Sequence, residues 1–198
     1  FFVLSSHYRS PLNYSDEQLN ETRSALERLY TALRDVKPIQ NNLQSDYIRR
    51  FEEAMNDDFN SAKAISVMFE CANELNKLKS LNPEQASLIA GDLLKMAEPL
   101  GLLNQSPEEF LQSSAGADSV ISNDEIDVQI NQRLQAKEDK NWALADQIRD
   151  ALKEQGVILE DKGHETTWRR ANGANISLPK LDIKASATNH AKPDELDT

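Results

Sequence analysis

The sequence predicts a mainly α protein: an antiparallel helical bundle followed by a small α+β module of two helices and a β-hairpin. Three observations predict it. From residue 15 to 112, apolar residues recur at helical spacing behind Ser, Asn and Pro start signals. A small, polar stretch, "SSAGADSVIS" at 113–122, then interrupts the pattern. Beyond it, two more helical patterns lead through Gly156 into two short runs of strand type flanking Asp161-Lys162-Gly163.

Residues 1–14 read as a connector. They open on Phe1-Phe2-Val3-Leu4 without an initiating Met, which reads as a piece of a longer protein. Pro11 pushes Ser10 out of helical geometry. Ser15-Asp16-Glu17-Gln18 has the capping-box pattern. Leu19, Thr22, Leu26, Leu29, Leu33 and Val36 form the stripe behind it, and Pro38 lies past its end. A second helix is expected from Ser45 to about Met55, with Tyr47, Ile48, Phe51 and Met55 on one side. "NDDFNS", 56–61, breaks it. A third carries Ile65, Met68, Ala72, Leu75 and Leu78. Asn82-Pro83 opens a fourth, with Ile89, Leu93, Leu94 and Ala97, and Pro99 ends it. Ser106-Pro107-Glu108-Glu109 starts one or two further turns.

In the module, Asn123 is expected to cap a helix bearing Ile126, Ile130 and Leu134. A break near Asn141 leads to a helix with Ala145, Ile148 and Leu152, and Gly156 takes the position just past its end. Val157-Ile158-Leu159 and Thr166-Thr167-Trp168 are the strands. From Ala171 to Thr198 there is no periodicity and little large apolar surface, so a mobile tail is expected.

The 198 residues carry a net charge of −11 and a mean hydropathy of −0.62. A general basic patch is not the leading feature, so a polyanion partner needs a local site. The single cysteine, Cys71, rules out an intramolecular disulfide, and its place beside an apolar stripe reads as core. No apolar run reaches the ~20 residues that span a bilayer. His7, His164 and His190 lack partners at metal-ligand spacing, and no phosphate-binding or nucleophile motif is present. No catalytic residue and no metal ligand is therefore assigned. The paired carboxylates of "NDDF", 56–59, read as caps at a helix break.

Three segments together carry a resemblance: "FFVLSSHYRSPLNYS", "AMNDDFNSAKAI" and "RLQAKEDKNWALADQIRDALKEQGVILEDKGHETTWRR". In this order and spacing they resemble the C-terminal region of bacterial cysteinyl-tRNA synthetase, over residues 1 to about 170. The resemblance implies a DALR-type bundle at 15–112, a linker at 113–122 and an anticodon-binding module at 123–170. It places the family's nucleotide signatures and zinc ligands upstream, in a catalytic domain absent here, so this chain alone is expected to be inactive. The full-length family enzyme uses ATP and one zinc ion; neither is expected in this chain. The implied setting is the cytoplasm, and the implied partners are the cysteine tRNA and that catalytic domain, with no membrane.

The family motif falls on Lys137, Trp142, Asp146, Asp161, Thr167, Trp168 and Arg169, with Arg170 as an adjacent phosphate contact. These are the expected RNA-binding residues. Unstacked bases are read by stacking on aromatic rings and by hydrogen bonds to their edges. A carboxylate suits the donor-rich edge of guanine or the amino group of cytosine, while cations meet phosphates. Two positions depart from the family pattern. Lys137 stands where Arg is usual, and an ammonium lacks Arg's planar two-pronged reach. Glu165 stands where Gly is usual. Two other readings fit parts of the chain: the helical domain of a related ligase that joins cysteine to an amino sugar, and an acidic helical interaction protein without RNA binding. Residues 133–170 argue against the first, and tRNA binding separates the second.

Overall fold

A computed structural model describes residues 1–40, 44–113, 121–162 and 165–171. Most of the expected linker, Gly163 of the expected turn and the tail from residue 172 lie outside the described residues. The bundle comprises α1 (Asp16–Leu33), α2 (Asp46–Asn56), α3 (Ser61–Leu81), α4 (Pro83–Ala97) and α5 (Pro107–Gln112). The module comprises α6 (Asn123–Glu138), α7 (Trp142–Glu154), β1 (Val157–Lys162) and β2 (Glu165–Arg170). Short 3-10 turns occur at Val3–Ser5 and Glu98–Leu100.

Each helix starts where a short polar side chain takes up an orphan backbone N–H. Ser15, Ser45, Asn60, Asn82, Ser106, Ser122 and Asn141 do this for α1 to α7 in turn. Reciprocal capping boxes form at Ser106/Glu109 and Ser122/Glu125. The sequence points to Asn123 as the cap of α6. The structure moves it one residue earlier, because Ser122 has Glu125 at the spacing that closes the box and Asn123 does not. Val36, expected in the α1 stripe, falls past the helix end, where Asp35 turns into left-handed geometry (φ 61°), yet it still packs on the core.

α3 is the axis of the bundle, packed against α1, α2 and α4. Leu29, Met68, Leu75, Leu93 and Met96 are among its fully buried side chains. Cys71 is buried there, its Sγ 3.6 Å from the Ile89 carbonyl, and burial pushes its thiol up to about 12. It stays a neutral core thiol rather than a nucleophile. The α1–α2 connection crosses α4 at Gly91. Ile39 donates its N–H to the Ser87 carbonyl at 2.9 Å, and a Cβ on Gly91 would lie 2.0 Å from the Ile39 oxygen. Gly91 is thus the gap that lets two backbones touch.

The module has its own core of Ile121, Ile126, Ile130, Leu152, Val157 and Trp168. Ile121, in the stretch read as linker, belongs to it. The hairpin is antiparallel, with Val157 opposite Arg170, Leu159 opposite Trp168 and Asp161 opposite Thr166. Strand residues alternate faces. Val157, Leu159, Asp161, Thr166, Trp168 and Arg170 therefore share one face, against α6 and α7. Ile158, Glu160, Thr167 and Arg169 share the other, on the side of the bundle. No described helix is long and apolar enough to cross a membrane.

Candidate nucleic-acid interface

α6 ends on two cations one turn apart, Arg133 and Lys137. The chain then turns through Lys140, in left-handed geometry (φ 59°), and Asn141 caps α7 by accepting from Leu144 N–H at 3.2 Å. This places Trp142 at the head of α7 and Asp146 one turn later, on the same side of the helix. Trp142 is 61% exposed and the Asp146 side chain 62%. The Asp146 carboxylate meets Arg149 at 3.3 Å, a surface pair that leaves it open to solvent.

Asp161, near the end of β1, closes the site. Arg133 grips it with both prongs, Nη1 to Oδ1 at 2.9 Å and Nη2 to Oδ2 at 2.8 Å. Lys137 Nζ donates to Oδ2 at 3.0 Å, and Thr166 Oγ1 donates to Oδ1 at 2.7 Å. These bonds, the Arg133 pair foremost, hold the Asp161 carboxyl well below the usual carboxylate range. A depressed folded pKa adds stability above the unfolded value, lost only as pH falls through the folded one. Asp161 is accordingly an anion at any pH where RNA is handled. The Arg133 guanidinium is raised in turn, first by Asp161, with a smaller contribution from nearby Asp146.

The structure thus joins Lys137 to Asp161 directly, sets Asp146 near enough to raise Arg133, and places Trp142 one turn before Asp146 on α7. It sets the other expected residues elsewhere. Trp168 is 3% exposed and donates its indole N–H to Asp127 Oδ1 at 3.0 Å. It is core, and the guanidinium of Arg170 lies 5.6 Å from its ring centre, so no base can stack on it as it stands. Arg170 is engaged within the protein as well. It donates to the carbonyls of Gln112 and Ile121 and to Asn123 Oδ1, tying the end of α5 to the start of α6. Thr167 and Arg169 face the opposite side of the hairpin from Asp161. Arg169 Nε donates to Glu160 Oε1 at 2.9 Å, and Glu160 Oε2 accepts from buried Arg34 of the bundle at 2.6 Å. The reason in each case is the period of two along β2, which a one-dimensional motif conceals.

Arg133 is the residue the sequence reading missed. A signal was present: it follows Ile126 and Ile130 at helical spacing, so a cation sits in the apolar stripe of α6. A charge in that row needs a buried or half-buried partner.

Two family descriptions match the chain in the same order: the DALR domain over residues 50–104, and the cysteinyl-tRNA ligase anticodon binding domain over residues 123–169. Among its relatives, the cysteine–tRNA ligase of Escherichia coli (strain SMS-3-5) is 51% identical over 172 residues. This alignment covers 86% of this chain and 37% of the relative. The chain matches the DALR and anticodon-binding regions of cysteine–tRNA ligases. The cysteine–tRNA ligase of Idiomarina loihiensis is 50% identical over 173 residues, again 86% of this chain and 37% of its own. That of Neisseria meningitidis serogroup B is 48% identical over 173 residues, covering 86% and 35%. The chain spans a little over a third of the length of these ligases. The anticodon-binding match ends at residue 169, so all four residues of the cluster, Lys137, Trp142, Asp146 and Asp161, lie within it.

Proposed function

We propose that this chain is the part of a cytoplasmic cysteine–tRNA ligase that recognises the anticodon of the cysteine tRNA. Trp142 stacks on an anticodon base, Asp146 and Asp161 accept hydrogen bonds from base edges, and Lys137 supplies the positive charge. The bundle is the strut between this module and the part of the ligase that activates cysteine with ATP, where the family's zinc ion also belongs. The observation that carries the reading is Trp142. A ring of that size, 61% exposed and capped in place at a helix head one turn from an open carboxylate, adds nothing to the core. Thr167 and Arg169 enter only indirectly, through the opposite face of the hairpin.

Trp142→Ala is expected to weaken binding of an RNA stem-loop bearing the cysteine anticodon by about 1–3 kcal/mol, the range for one stacked base. Its melting temperature should match that of the parent protein. Fluorescence anisotropy of a labelled stem-loop, with circular dichroism beside it, measures both. Unchanged affinity in a folded variant would refute the stacking role.

Asp146→Asn should act on choice rather than strength. The amide keeps the shape but turns one acceptor into a donor. Binding of the cognate stem-loop should fall roughly tenfold, as for one lost base-edge contact, while stem-loops with altered anticodons gain slightly from the lost negative charge. Equal gains on all stem-loops would mean that this carboxylate only repels the backbone.

A further inference from the structure

A carboxylate has about four acceptor positions. At Asp161 all four are taken: Oδ1 by Arg133 and Thr166, Oδ2 by Arg133 and Lys137. A base edge can gain a hydrogen bond from Asp161 only if one of these donors gives way. The donors differ in how firmly they are held. Arg133 makes two parallel bonds from a side chain that is 5% exposed, so losing them would strand a buried charge. Thr166 is fixed opposite Asp161 by the register of the hairpin. Lys137 makes one bond, from a flexible four-carbon stem, with its side chain 30% exposed. Its charge is also surplus, because Arg133 already balances Asp161.

We propose that Lys137 is a gate on Asp161: in the RNA-free protein its ammonium caps Oδ2, and on RNA binding it moves to a phosphate while Oδ2 accepts from a base edge. Arg133 is the positioning residue, keeping the carboxylate ionised and aimed throughout. No proton changes hands. One hydrogen bond to Oδ2 is exchanged for another, and the freed ammonium gains a phosphate partner. The inference rests on the anticodon reading above. It also gives the Lys at this position a physical sense: a single-pronged donor leaves a carboxylate more readily than a guanidinium does.

The test is titration of this chain, from about 50 to 300 mM KCl, with the cysteine-anticodon stem-loop and three stem-loops each altered at one anticodon base. Lys137→Met keeps the stem and removes the charge. It should bind about tenfold more weakly at the lowest salt, and the slope of log K against log[salt] should become shallower by roughly 0.7–0.9, the value of one phosphate contact. Its preference for the cognate stem-loop should stay within threefold of the parent's. A slope equal to the parent's would overturn the gate, since the ammonium would then never reach a phosphate. Collapse of the cognate preference would also overturn it, since Lys137 would then be reading a base. Arg133→Lys retains the charge but not the fork. The slope should persist while the cognate preference falls roughly tenfold, measured below the variant's own melting transition. Retention of both would remove the positioning role. If the parent protein itself fails to prefer the cognate stem-loop, the anticodon reading falls and the gate with it. That outcome is distinct from a selective parent with an indifferent Lys137→Met variant.

Discussion

Trp168→Ala is expected to unfold the module of residues 121–171 while the bundle stays folded. Truncating a buried aromatic ring costs about 3–5 kcal/mol through lost transfer energy and the cavity left behind. The module has little to set against that. Its buried core is Ile121, Ile126, Ile130, Leu152, Val157 and Trp168, and the indole is the largest of these side chains. The substitution also leaves Asp127 Oδ1 without its indole donor and takes the ring away from the Arg170 guanidinium. A unit this small buries a modest fraction of its surface and has only a few kcal/mol of stability to lose. The bundle keeps a separate core around α3 and does not depend on this ring. Calorimetry should show the module's transition vanish or fall far below that of the bundle, and Trp168→Phe should restore much of it. A variant that melts within a degree or two of the parent would place the ring outside the core. The two tryptophans should therefore part company: loss of Trp142 should weaken RNA binding without melting, and loss of Trp168 should melt the module.

Glu160→Ala should destabilise the joint between bundle and module by about 3 kcal/mol. Arg34 sits at the C-terminal end of α1 with its side chain 4% exposed, and its Nη1 donates to Glu160 at 2.6 Å. Its Nη2 is buried with no hydrogen-bond partner among the described residues. Removing the carboxylate leaves a buried cation doubly unsatisfied, the situation in which breaking a buried pair is most costly. Arg169 loses its partner at the same stroke, at smaller cost because it is more exposed. The double variant Arg34→Met/Glu160→Ala should recover most of the loss, since it removes the stranded charge together with its partner. Urea unfolding of the four proteins closes the cycle. Additive losses would show that the two side chains do not meet in solution.

Local signals in the sequence carried the architecture. Helix starts are set by one side chain bonding a backbone N–H three residues on, so Ser15, Ser45, Asn82 and Ser106 announce themselves. The hairpin is likewise written locally, by two β-type runs after Gly156. The site was half legible. Trp142 and Asp146 lie one helical turn apart, and helical spacing alone places them on one side. What stayed hidden depends on pairing between distant segments. Arg133 meets Asp161 across 28 positions, and Arg34 meets Glu160 across 126. Neither partner can be read from its neighbours. Trp168, Arg169 and Arg170 look like one basic aromatic motif because they are adjacent, although a strand sends adjacent side chains to opposite faces. Only the register against β1 shows that Trp168 and Arg170 belong to the core side and Arg169 to the joint.

That two-sidedness makes the hairpin unusually intolerant of changes in length. On many surface hairpins an added or lost residue merely shifts a loop. Here one residue inserted at the start of β2, ahead of Thr166, would exchange the two rows beyond it. The indole would swing out towards the bundle, a threonine or arginine would enter the core, and the carboxylate at the reading face would lose its strand partner in the same event. Substitutions along this strand can be weighed one at a time, each against its own neighbours. Insertions and deletions cannot, because the packing of the module, the joint to the bundle and the proposed contact with RNA are all keyed to a single count of residues. Among relatives that keep this module, the lengths of β1 and β2 should therefore vary far less than the identity of their outward-facing residues.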